Sequence, residues 1–487
     1  MKRLSAIILA AMLMLPVTAG AQALKGSYFL DNSTNRNKMN PAFAPRSNYV
    51  QIPAVGNIGA GVMTNLDIPT FLYPLNGELA TFLHPSVSVQ QFDKALPNRP
   101  HLDAEVSTNL INFGFYTKRK SFWTFDLSVN AGVDVDLPRD LFMFIKKGAG
   151  TNGESFNIAN VNAYATASVN AALGYSTNVG KGFRVGAKVR FIAPVAYAAL
   201  NLENVRLTTG SEKWVAQTEG YAYTAMQGLN LYTPAGETLP TAEFDVDRFL
   251  QNKVLAGAGL SVDLGVEWKL DRGSIFDGLS VSAAVTDLGM IAYKQDAICA
   301  YDTRGELIWD GFKDVDMDYD FEAALDEFMA EAEGMLNINQ KEAKGKLTRS
   351  TMPRVYAGVE VPFLWRRMSV GLLYSGRFSH SYYRQELTAS YNLKPLKWLA
   401  LGVNYSFLNT QKTFGWLLEL TPKAGVNFYI GGDYLPFEWT PAPILDDVLT
   451  MPEYFVKKGH VHPYLPMSYR FNLQFGLSLA LGSKHGR

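Results

Sequence analysis

The sequence has a single cysteine, Cys299. It cannot form an intrachain disulfide, and a lone cysteine reads as a small buried hydrophobe. The sequence also lacks net charge: 45 basic and 45 acidic residues cancel, which leaves no electrostatic footprint for nucleic acid. Past its N-terminus it lacks a long apolar run. The longest spans 191–200 and contains Pro194, whereas a membrane helix needs about 20 apolar residues. A helical inner-membrane protein is thereby excluded. No Pro/Ser-rich linker and no internal repeat of about 20–50 residues divides the chain.

The N-terminus indicates export. Lys2 and Arg3 precede an apolar run, 6–17, that is too short to cross a bilayer, and Ala19, Gly20 and Ala21 form a small-residue cleavage site before Gln22. Residues 1–21 are therefore expected to be a secretory signal peptide. No cysteine follows the cleavage site to receive a lipid.

The rest of the chain is dominated by a period of two. Phe125, Leu127, Val129, Ala131, Val133, Val135 and Leu137 alternate with Asp126, Ser128, Asn130, Gly132, Asp134 and Asp136. Near the C-terminus Phe471, Leu473, Phe475, Leu477 and Leu479 alternate with Asn472, Gln474, Gly476 and Ser478. Alternation of this kind is a strand signal. A soluble sandwich alternates too, but its strands average about five or six residues. Eleven residues at about 3.3 Å each, tilted by about 40°, cover roughly 28 Å, the thickness of a hydrocarbon core. In lipid every backbone N–H and C=O must be paired, so such a sheet must close. The mean hydropathy of −0.03 fits a barrel whose apolar outer face is diluted by a polar lumen.

Strands are expected near 48–66, 109–117, 121–136, 160–176, 182–200, 254–269, 278–290, 352–361, 367–378, 382–393, 397–408, 412–421, 424–434 and 468–482. The connections between them sort into two alternating sets. The first holds only short turns, at 118–120, 177–181, 270–277, 362–366, 394–396 and 422–423; the second holds every long segment, at 67–108, 137–159, 201–253, 291–351 and 435–467. Bacterial outer-membrane barrels have an even strand number, short periplasmic turns and long external loops. The expected fold is all-β: a single transmembrane antiparallel β-barrel of about 14 strands over 48–487, preceded by a plug or hatch segment, 22–47. Pro41 and Pro45 keep that segment out of the sheet. Many such barrels end on an aromatic residue. Here Ser483 to Arg487 follow the last strand, which is read as a lineage difference in the signal to the outer-membrane assembly machinery.

Motifs for chemistry are sparse. Asp316, Asp318, Asp320 and Glu327 have the spacing of calcium-loop ligands 1, 3, 5 and 12, but Phe321 stands where that loop needs glycine. The alternative is an acidic external loop leading into a short helix, because Phe321, Leu325, Phe328, Ala332 and Met335 recur at helical spacing. His460 and His462 lack a third metal ligand. There is no Gly-x-Ser-x-Gly motif, and Ser379, His380 and Ser381 have no visible third member. No enzymatic activity and no cofactor are expected. Lumen-facing Asp126, Asp134, Asp136, Arg184, Lys188, Arg190, Asp263 and Glu267 are expected to pair with one another or with the plug.

Several segments resemble a family of outer-membrane barrels of unknown function from Bacteroidota. They are 27–31 (SYFLD), 39–45 (MNPAFAP), the Gly- and Asn-rich stretch 50–66, 70–74 (TFLYP), 285–289 (VTDLG) and 431–434 (GGDY). More distantly, Asn40, Pro41, Ala42 and Phe43 before a first strand of fourteen are similar to the long-chain fatty-acid transporter superfamily, in which the N-terminal segment plugs the lumen. That resemblance implies a passive channel for a hydrophobic or amphipathic small molecule, in contact with outer-membrane lipid. The alternative is a non-transporting scaffold or adaptor that binds partner proteins through its loops. A continuous apolar tunnel would favour the channel, and a lumen filled by charged side chains and the plug would favour the adaptor.

Overall fold

The computed structural model describes residues 24–481 apart from 76–77, 148–154, 159, 209–213, 228, 233–240, 245–254, 271–277, 303–304, 310–338, 342–346, 365, 380–382, 409–411, 423–424, 436–438, 442–463 and 467–469. The calcium candidates Asp316, Asp318, Asp320 and Glu327, and likewise His460 and His462, lie outside the described residues.

Fourteen antiparallel strands close on themselves. They are β1, in two pieces (Asn48–Gln51 and Ile58–Thr64), β2 (His101–Tyr116), β3 (Phe122–Asp136), β4 (Val161–Gly180), β5 (Phe183–Thr208), β6 (Gly257–Lys269), β7 (Ser280–Tyr293), β8 (Arg354–Phe363), β9 (Met368–Phe378), β10 (Tyr383–Leu396), β11 (Leu399–Leu408), β12 (Lys412–Leu420), β13 (Val426–Leu435) and β14 (Phe471–Leu481). Each pairs with the next, and β14 closes the circle on β1 (Asn48 opposite Leu481). No helix among the described residues is long and apolar enough to cross a membrane; this barrel crosses with strands.

The alternation read from the sequence sorts side chains between two faces. Along β14, Phe471, Leu479 and Leu481 are exposed while Asn472, Gln474 and Ser478 are buried. Leu173, Phe191, Leu260, Leu264, Met290 and Val370 are likewise exposed on the outside. A continuous apolar belt of this kind would drive aggregation in water and is at home in lipid. The polar partners point into the lumen.

The connections also divide by side. One end has only the short 117–121, 181–182, 270–279, 364–367, 397–398 and 421–425; the other has 65–100, 137–160, 209–256, 294–353 and 436–470. An epitope inserted in 314–340 should therefore be reached by antibody on intact cells, and one at 118–120 should not. Labelling in the reverse pattern would invert the orientation.

Three departures from the expected strands have physical causes. β1 is not continuous: from Gln51 to Ile58 it advances seven positions while β14 advances three, Ser478 to Phe475. The excess loops outward at Pro53, which cannot donate to the ladder, and at Ala54, whose φ is 63°. β2 starts at His101, eight residues before the expected 109, because Asp103 and Glu105 lie on its lumen face rather than in a loop. β5 runs on to Thr208, and Trp214–Met226 pairs with its outer half. Its 26 residues far exceed the roughly 9–11 that span a bilayer, so its outer half stands clear of the lipid.

Candidate functional site

Residues 24–47 touch strands all round the closed barrel, which places them in its lumen. The Leu24 amide donates to Gln474 on β14 (3.1 Å), and the Lys25 and Gly26 amides both donate to the Asp433 carboxylate on β13 (2.7 and 3.0 Å). The Lys25 ammonium pairs with Glu386 on β10 and donates to the Tyr434 hydroxyl at 2.5 Å. On the other side Lys188 of β5 donates to the Asn37 carbonyl (3.0 Å), and Lys38 donates to Asn109 of β2 (2.9 Å).

The segment has an apolar core of its own. Tyr28, Phe29, Met39 and Phe43 pack with Ala284, Tyr356 and Leu373 of the wall. Tyr28 meets Phe29 and Phe43 edge to face at 5.0 and 4.9 Å, the geometry that the ring quadrupole favours. The Arg36 guanidinium sits 3.9 Å over the Phe43 ring.

Asn40, Pro41, Ala42 and Phe43, singled out in the sequence, come together against β5, β6 and β7. Asn40 donates to the Val266 and Ala283 carbonyls (3.1 and 3.3 Å) and accepts from the Ala42 amide (2.9 Å). Pro41 and Ala42 lie on Gly186, and Asn40 on Gly265, so closely that a Cβ at either glycine would overlap the segment. Glycine permits that approach of two backbones. Phe43 is buried in the aromatic cluster.

Asp31 ties the segment to the rim with the short connections. It lies 2.9 Å from Arg36, 3.0 Å from Arg46, 3.6 Å from Lys269 and 3.8 Å from Lys394. Burial by itself would raise its carboxyl, but these four cations hold it well below the usual carboxylate range. The Asp67 carboxyl, beside the opposite rim, is pushed up to about 6 by burial, which Arg470 only partly offsets.

Among the charges expected in the lumen, Arg190 pairs with Asp263 (3.0 Å) and with Asp287. Glu267 faces Lys269 at 3.1 Å and Arg36 of the segment at 3.6 Å. Arg184 donates to the Ser176 hydroxyl at 3.0 Å, and Asp134 accepts from Ser379. Asp126 accepts from Asn112 at 2.7 Å.

Beyond the segment, towards the long connections, lies a cavity of about 280 Å³. Lys38, Lys188, Arg190 and Asp126 line it nearest the segment; Ile192, Tyr197, Ile291 and Tyr293 line it farther out, together with the charged Asp134, Arg349, Arg354 and Arg377. Among the described residues no group of three or more His, Cys, Asp or Glu side chains could hold a metal ion.

One charged set escapes the sequence reading altogether. Glu105 of β2 pairs with Arg354 of β8 (3.1 Å) and Arg377 of β9 (2.5 Å); Asp103 of β2 pairs with Arg377 (3.5 Å) and Arg384 of β10 (3.2 Å). Six strands separate β2 from β9 in either direction round the barrel, so these pairs cross the lumen. The sequence clue is Asp103 and Glu105 at alternate positions between Leu102, Ala104 and Val106.

Fold and site together define a transmembrane β-barrel with an occupied lumen. The chain belongs to the family of unknown function DUF5723, which it matches over residues 41–433. No curated protein matches it. Among solved structures it is similar to the toluene transporter TodX of Pseudomonas putida (12% identity over 96% of this chain and 100% of that one, TM-score 0.38). It is also similar to the toluene transporter TbuX of Ralstonia pickettii (9% identity, 96% and 98% covered, TM-score 0.40) and to a FadL homologue of Pseudomonas aeruginosa (11% identity, 95% and 98% covered, TM-score 0.36). The barrel architecture rests on the strand pairing of this chain itself.

Proposed function

We propose that this protein is an outer-membrane channel of a Gram-negative bacterium, exported on a cleaved signal peptide, 1–21, and closed at rest by a plug, 22–47. Its solute is a small amphipathic molecule received from the side of the long connections. The observation that carries this reading is the cavity of about 280 Å³ directly against the segment, lined by apolar and aromatic side chains such as Ile192, Tyr197 and Tyr293 among charged ones such as Lys188, Arg190 and Arg349. Its volume is near the lower end of small-molecule sites, about 300 Å³, and its mixed lining matches a molecule with both polar and apolar parts. The charged lining points away from a purely hydrophobic solute.

A second reading, an adaptor that binds partner proteins, draws on the same lumen: its charges are largely compensated and the segment fills it. The two readings diverge on movement of the segment. Gly265→Val should push Asn40 and Pro41 off β6 and raise the frequency of single-channel openings in planar bilayers, with the barrel still resistant to cold detergent. A folded variant that releases the segment to added protease yet conducts like the unaltered chain would leave the adaptor reading in possession.

A further inference from the structure

We propose that Arg354, Arg377 and Arg384 form a binding site for an oxyanion, the carboxylate or phosphate of a small solute, which Asp103 and Glu105 occupy at rest from across the lumen. The inference rests on the reading of the lumen as a solute path.

The sheet register is the first observation. Arg354 stands directly opposite Arg377, and Arg377 directly opposite Arg384. Three guanidiniums thus form one row across three neighbouring strands, all facing inward. Like charges directly opposed in a sheet destabilise it, and partly buried charges need compensation. The neighbouring strands supply part of it, through Asp287 of β7 near Arg354 and Glu386 of β10 near Arg384. The carboxylates closest to the row come from β2, on the far side of the barrel. Asp103 and Glu105 are two apart on that strand and so share its lumen face. Asp287 is the other acid within reach of Arg354, at 4.0 Å, and it is already paired with Arg190. Asp134 faces Asp103 across β2 and β3 and accepts from Ser379.

The second observation is that the row is short of acceptors. The buried Nε atoms of Arg354 and Arg377 have no hydrogen-bond partner. The third is space. The 280 Å³ cavity reaches Arg354 and Arg377 from one side. A second cavity of about 20 Å³ touches all three arginines, Lys25 and the Glu386 carboxylate that pairs with Lys25, room enough for a water or one small-ligand atom.

Guanidinium forks bind carboxylate and phosphate with two parallel hydrogen bonds. Asp103 and Glu105 meet these guanidiniums through single nitrogens at rest, so an oxyanion entering from the large cavity can replace them without leaving the arginines unpaired. The exchange also frees β2 from β8, β9 and β10. The cross-lumen pairs are thereby a second constriction, on the far side of the plug from the short connections, that a solute of the right charge opens by substitution.

The test uses the full chain in detergent and inorganic phosphate as probe, followed by titration calorimetry. The unaltered protein should bind phosphate weakly, because its own carboxylates compete. Asp103→Asn with Glu105→Gln should bind about tenfold tighter, the weight of one charge-assisted hydrogen bond. Glu105→Gln alone should shift affinity in the same direction and serves if the double variant does not fold. Adding Arg377→Gln should abolish the gain. Equal affinities in all these proteins, or a gain that survives Arg377→Gln, would overturn the proposal. The channel reading fails separately: arginine-dependent phosphate binding in a protein that never conducts keeps the site and removes the channel, and conduction without such binding does the reverse.

Discussion

Deleting residues 25–44 should yield a folded barrel that conducts more than the full chain does. The segment contributes no strand to the barrel, and all fourteen strands find their backbone partners in one another. Its bonds to the wall run through side chains such as Asp433, Glu386, Lys188 and Asn109, which water entering the lumen can hydrate once the segment is gone. The heat-modifiable band on a gel should therefore persist while current rises. The rise should be partial, because the pairs from Asp103 and Glu105 to Arg354, Arg377 and Arg384 still cross the lumen. Combining the deletion with Asp103→Asn and Glu105→Gln should give a conductance larger than either change alone. Unchanged conductance in a correctly folded deletion variant would remove the plug and weaken the channel reading that depends on it. A deletion that conducts fully by itself would show that the cross-lumen pairs are no constriction.

The largest stability effect should come from a charge placed in the lipid belt. Leu264 lies near the middle of β6 and is exposed on the outside, next to lumen-facing Asp263. Leu264→Arg should cost about 2–4 kcal/mol if it sits at the bilayer midplane, because the guanidinium must lose its water or deform the bilayer. Asn130→Arg, which projects into the large cavity, should cost less, since the lumen offers water and Asp126. Ser478 would be a poor site for this contrast even though it faces inward, because it is buried and an arginine there would collide before it could hydrate. Denaturant titrations in lipid vesicles measure both; equal losses at Leu264 and Asn130 would contradict the assignment of faces.

Where a strand's two faces differ sharply in polarity, the sequence is enough to place it. β3 and β14 show this, as does the alternation of short and long connections. Two elements depart from expectation for one reason: a charged or proline-bearing stretch does not announce its place in a closed sheet. The first eight residues of β2 carry Asp103 and Glu105 and read as loop, because a lone carboxylate in a strand looks solvent-seeking. Its partners are about 250–280 residues away in sequence and visible only after closure. Pro53 sits inside a stretch that reads as one continuous β1, although it ejects the chain from the ladder.

The lumen divides along the same line. The sequence by itself determined that residues 22–47 are polar yet carry aromatic anchors at Tyr28, Phe29 and Phe43, that Asn40 and Pro41 stand before the first strand, and that Lys188, Arg190 and Asp263 point inward. These follow from period and composition, which are local. Only the tertiary structure decided that Gly186 and Gly265 are the seats of Pro41 and Asn40. It alone decided that Lys25 reaches Glu386 and Tyr434, and that three arginines from adjacent strands meet two acids from the opposite wall. Which residues face each other across a barrel depends on strand number, register and where the ring closes. Those quantities are set by the whole sheet at once, and no single segment carries them.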